Sequence, residues 1–96
     1  MEFTISGVKI IVIPDDHSKF LDGFVDRLRN IILDITKDKL LNYREIRVKI
    51  ISKPNISAPN YLVFTLLKRD TYSFDTWKVD LDSNFKIISI TENYME

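Results

Sequence analysis

Apolar and polar residues alternate along four successive stretches between Tyr43 and Thr91. One long stretch before them, His17 to Lys37, repeats its apolar residues every three or four positions. The first period belongs to strands, the second to a helix. In the helical stretch Phe20, Leu21, Phe24, Val25, Leu28, Ile31, Ile32 and Ile35 form a broad apolar stripe, with Lys19, Asp22, Asp26, Arg29, Asn30 and Lys37 on the other side. Pro14 stops the preceding segment, and Asp15, Asp16 or Ser18 can accept hydrogen bonds from the first free amides. The pattern predicts a helix over 16–38. Gly23 inside it costs about 1 kcal/mol, which close approach of the helix backbone to a sheet explains.

The strands follow from alternation. Over 43–53, Ile46, Val48 and Ile50 face one way and Glu45, Arg47 and Lys49 the other. A loop with two prolines leads to 61–69, which is apolar on both faces, as a strand covered on both sides would be. The strand over 72–81 sets Trp77, Val79 and Leu81 on one face; Asp82-Ser83-Asn84 turns the chain into a last strand over 85–91. At the start, 1–13 reads as a strand whose parity inverts at Ser6-Gly7. Either a bulge or a small hairpin does this, and Gly7 tolerates the positive φ that both need.

These elements make one α+β domain spanning 1–96: a long helix in the N-terminal half packed on a curved antiparallel sheet of four to five strands. The order strand, helix, then four meandering strands resembles the cystatin fold. Cystatins that inhibit cysteine proteases carry an early glycine, a Q-x-V-x-G hairpin loop and a later Pro-Trp pair. Here the corresponding loop, Lys53 to Asn60, reads KPNISAPN, the turn at Asp82 has no Pro-Trp, and Trp77 lies within a strand. The resemblance therefore implies a fold and not protease inhibition.

Composition narrows the class without naming a function. The chain has 96 residues, 45% hydrophobic and 29% charged, with no cysteine and a formal net charge of zero. That suits a single folded domain and excludes a disulfide framework or a thiolate metal site. No apolar run approaches the roughly 18 residues of a membrane span. The acidic start Met1-Glu2-Phe3 is unlike a signal peptide, so the expectation is a cytoplasmic protein, although an exported mature domain would read the same way. Charge is uneven: −2 over residues 1–36, +6 over 37–69 and −4 over 70–96. Pairing of basic-middle strands with acidic-end strands would neutralise this.

Candidate chemistry is sparse. His17 is the sole histidine, and a lone histidine beside Ser18 makes neither a triad nor a zinc site. Asp80, Asp82 and Asn84 match the first ligands of a calcium loop, but Phe85 and Thr91 stand where its glycine and bidentate glutamate belong, so an acidic turn accounts for them. Arg44, Arg47, Lys49, Lys53, Lys68 and Arg69, with Tyr43 and Tyr61, make a weak basic strip in a neutral domain, which argues against nucleic acid. No cofactor, metal or catalytic residue is called.

Tyr72 and Phe74 have opposite parity to Trp77 and Val79. Either a bulge near Asp75 reunites them or apolar surface is left for a partner. The expectation is a small non-catalytic protein-binding or regulatory module of inhibitor, immunity-type or adaptor kind. It would bind another protein or itself as a homodimer, through Pro54, Ile56 and Pro59 of the loop and Tyr72 and Phe74 of the sheet. The alternative is a small ligand-binding protein or enzyme with a cleft between helix and sheet, lined by Phe20, Phe24 and Trp77.

Overall fold

A computed structural model describes residues 1–13, 24–51, 61–82, 84 and 86–95, the side chain of Phe24 excepted. The parity break near the N-terminus is a hairpin. β1 (Glu2–Ile5) and β2 (Val8–Ile13) pair antiparallel across a two-residue turn, with Ser6 at φ 49° and Gly7 at φ 82°. Two positive φ values are what a tight hairpin turn needs if its twist is to match that of its strands. The turn also inverts the parity: Phe3 and Ile5 come to lie opposite Ile10 and Val8, on one face.

The helix α1 (Phe24–Thr36) turns Leu28, Ile31, Ile32 and Ile35 inward, all 8% exposed or less. Its predicted first part, residues 16–23 with His17 and Gly23, lies outside the described residues. Thr36 is buried, and its hydroxyl donates to the Ile32 carbonyl at 2.6 Å, satisfying a group that would otherwise be costly to bury. Lys37 then takes φ 50°, and a short 3-10 helix over Lys37–Asn42 drops Leu40 into the core before the chain enters β3 (Tyr43–Ile51).

β4 (Tyr61–Lys68), β5 (Phe74–Leu81) and β6 (Ile87–Glu92) complete a six-stranded sheet in the order β1-β2-β3-β4-β5-β6. The expected antiparallel sheet of four to five strands is thus corrected to six strands and a mixed sheet, because β2 and β3 pair parallel with Ile10 opposite Ile46 and Val12 opposite Val48. The physical reason is the crossover. Two parallel neighbours need a connection that carries the chain back along the sheet, and the segment containing α1 supplies it. The cystatin-like order is matched only roughly, as a hairpin stands where one strand was expected and its inner strand joins the meander in parallel.

One face of the sheet meets α1. Ile5, Val8, Ile10, Val12, Ile46, Val48, Ile50, Leu62, Phe64, Leu66, Val79 and Leu81 form one core with the inner residues of the helix. Phe64, fully buried on the central strand, sits opposite Val48 on one side and Trp77 on the other. Removing a ring of that kind costs about 3–5 kcal/mol.

Two bulges adjust the pattern. The β3–β4 register shifts between Tyr43 and Glu45, leaving Arg44 as the extra residue. Tyr43 thereby leaves the outward parity of Glu45 and is buried, 5% exposed. The reading that set Tyr43 beside a basic surface strip is corrected for this reason. A second shift, between Asp80 and Leu81, makes Ile88 the extra residue of β6.

Candidate functional site

The face away from α1 is covered largely by its own long side chains. Val63 lies on this face yet is 3% exposed. Its direct cross-strand neighbours are Lys49 and Lys78, whose methylene stems shield it while their ammonium groups stay near water. Lys78 Nζ lies 4.6 Å from the centroid of the Tyr61 ring and 5.7 Å from that of Tyr94, and 3.5 Å from an Asp80 carboxylate oxygen. The Tyr94 amide donates to the Thr76 carbonyl at 2.9 Å, which pins the end of the chain across this face. Aromatic rings attract a cation placed over them, so the three residues form a local cover.

The cover is incomplete at Ile13, which lies opposite Lys49 and is 45% exposed, and at one corner of β4 and β5. The β4–β5 register runs without a break from Leu67 opposite Phe74 to Tyr61 opposite Asp80. No bulge at Asp75 reunites Phe74 with Trp77, and Phe74 stays on the outer face, 57% exposed, beside half-buried Leu67. Tyr72, in the turn two residues earlier, is 99% exposed. Thr71 and Ser73 share a hydroxyl–hydroxyl hydrogen bond across Tyr72, and the Ser73 amide donates to the Thr71 Oγ1 at 3.2 Å. The turn therefore presents the tyrosine from a locally bonded backbone. Glu45 and Arg47, paired at 2.8 Å, edge the outer face nearby. An apolar centre with a polar rim is the anatomy of a contact surface. Pro54, Ile56 and Pro59 lie outside the described residues.

Beneath the 3-10 helix is a polar cluster that alternation could not show. The Tyr43 hydroxyl donates to Asp75 Oδ2 at 3.0 Å, and Lys68 Nζ lies 3.7 Å from Asp75 Oδ1. These residues line a cleft of about 420 Å³ with Lys39, Asn42, Asp70 and Thr71. Burial, and then the bond to and charge of Asp75, push the Tyr43 hydroxyl up to about 12. It is a proton donor held in place, far from the range of a base working near neutrality. The cluster ties β3, β4 and β5 together.

The basic strip is spent in similar ways. Arg44 Nε donates to the Lys68 carbonyl at 3.3 Å, and Arg69 donates from Nε to the Leu41 carbonyl and from Nη2 to the Tyr43 carbonyl. Arg47 is held by Glu45. The basic middle meets the acidic end in the Lys68–Asp75 pair, while Arg47–Glu45 and Lys78–Asp80 are pairs along one strand. The acidic turn is likewise occupied: one Asp82 carboxylate oxygen accepts from the amides of Asn84 and Lys86, and Asp80 accepts from the Ser89 hydroxyl.

An open cleft of about 710 Å³ lies between α1 and the start of β6, lined by Arg27, Asn30, Ile31, Leu33, Asp34, Lys86 and Ile87. Its walls are helix-surface charges of both signs. Among the described residues, no buried side-chain nitrogen or oxygen lacks a hydrogen bond, and no three or more His, Cys, Asp or Glu side chains converge. Among those residues no helix is long and apolar enough to cross a membrane. Comparisons with protein-family models, with curated proteins and with solved structures each gave no match.

Proposed function

We propose that this chain is a small non-catalytic protein-binding module whose partner docks on the β4–β5 turn and the adjoining outer corner of the sheet. The observation that carries this reading is the exposure of Tyr72 and Phe74, 99% and 57%, side by side at one corner of the outer face. Aromatic anchors surrounded by polar groups supply most of the affinity in protein contacts. Their truncation leaves the core untouched, because neither side chain belongs to it.

The test is retention of host proteins on immobilised wild type and on a Tyr72→Ser, Phe74→Ser double variant with the same melting temperature. A protein held by the first and lost by the second supports the reading. Equal retention on both, or none on either, overturns it.

A further inference from the structure

Two segments build the end of the sheet that carries Tyr72 and Phe74: 37–44, the 3-10 helix with the bulged start of β3, and 68–75, the β4–β5 turn with its flanks. The Arg69 amide donates to the Asn42 carbonyl at 2.9 Å and the Lys68 amide to the Ser73 carbonyl at 3.1 Å, which joins them. Together they hold five basic and three acidic residues, a local charge of +2 in a chain of net zero. How these cations are held matters more than their number. Lys68 is paired with Asp75. Arg44 and Arg69 are exposed and bond main-chain carbonyls instead, and among the described residues neither they nor Lys39 forms an ion pair. A carbonyl fixes a guanidinium without cancelling its charge. Arg44 uses Nε alone, which leaves its two Nη groups as a fork of the shape that grips a carboxylate.

We infer that the segment of the partner that docks here is acidic: an apolar residue packs on Tyr72 and Phe74, and a neighbouring carboxylate meets the Arg44 fork. The spacing suits one short segment. Arg44 is anchored on Lys68, which faces Ser73, one step along the ladder from the Leu67–Phe74 pair. Arg69 opens the turn that Tyr72 sits in, and Lys39 lines the adjoining cleft, so both add to the field that draws a negative segment to this corner. A nucleic acid fits less well. It brings a phosphate at every step, and Asp38 and Asp70 stand in the same two segments to repel them. The inference rests on the protein-binding reading and adds the chemistry of the partner to it.

The test selects peptides from a random display library on immobilised wild type. The synthetic peptides are then titrated against wild type, the Tyr72→Ser, Phe74→Ser variant, and an Arg44→Glu, Lys39→Glu variant of unchanged melting temperature. Peptides that need Tyr72 and Phe74 should carry net negative charge and lose affinity as salt rises. The charge-reversed variant should bind them about tenfold more weakly. Replacing their Asp and Glu by Lys should restore binding to that variant, a rescue that a general loss of stability would not give. Peptides that need the two aromatic residues but are neutral or basic, or are indifferent to the charge reversal, overturn this inference and leave the protein-binding reading standing. So does an oligonucleotide held as tightly as the best peptide. A library without any peptide that needs Tyr72 and Phe74 overturns both.

Discussion

The two edges of this sheet are protected by different means. β1 is four residues long, tied to β2 by a tight turn, and sends Ile5 into the core at 6% exposure. Arg29 of α1 reaches over the Phe3 ring at 5.8 Å, and Lys9 pairs with Glu2 at 3.6 Å. β6 is half as long again, and none of its residues is buried. It is held by its ladder to β5, by the Ser89–Asp80 bond and by the pinned Tyr94. The contrast shows that one edge can be closed by sinking a residue into the core while another is held at the surface by its ladder and side-chain bonds.

Substitution can break that contrast at its strongest point first. Ile5→Ala should cost about 2–5 kcal/mol in urea denaturation, the range for a buried large-to-small change. A cost below about 1 kcal/mol would mean that β1 is as loosely held as β6. The Tyr43 tie gives the next largest effect. Its hydroxyl is raised from 10 to about 12 in the fold. The unfolded chain therefore releases this proton at lower pH than the folded one, and stability is retained below about pH 10 and lost as pH rises towards 12. The size is about 2–3 kcal/mol for a shift of this extent. Denaturation at pH 8 and pH 12 should show that loss in wild type and a smaller one in Tyr43→Phe. An equal loss in both would mean that the Tyr43 hydroxyl is not its source.

Gly7→Ala tests the turn that closes the β1 edge. A methyl there meets no atom within 4 Å, so the cost is conformational, about 1–2 kcal/mol for a side chain at φ 82°. A neutral result would deny that the turn matters to the edge. The smallest effect belongs to Ile90→Ala. With 44% of the residue already in water, stability should fall by less than about 1 kcal/mol. A larger loss would place β6 in the core with β1 and erase the difference between the edges.

Much of the fold was legible because burial follows alternation. Ile46, Val48 and Ile50 were assignable to one face of their strand from spacing alone, as were Val79 and Leu81 of theirs, and each set is buried together in the core. Neighbours were not legible. The period of β2 gives its two faces but says nothing of whether β3 runs beside it parallel or antiparallel. At Ser6-Gly7 a bulge and a hairpin invert parity alike, so only the pairing of Phe3 with Ile10 separates them. Arg44 carries no mark of a bulge, and without one Tyr43 reads as a surface residue. At the candidate surface the opposite parity of Phe74 and Trp77 was the useful signal.

The parallel join of β2 to β3 also orders events in time. The meander from β3 to β6 closes through neighbours in sequence, whereas β2 meets β3 only after the chain between Ile13 and Tyr43 has come round. Contacts that close long loops form late, because their entropic cost falls due before any gain. In stopped-flow experiments, Phe64→Leu should slow folding, and Ile10→Val, on the late-docking hairpin, should chiefly speed unfolding. The N-terminal hairpin would then act as a latch, the last part to engage and the first to let go.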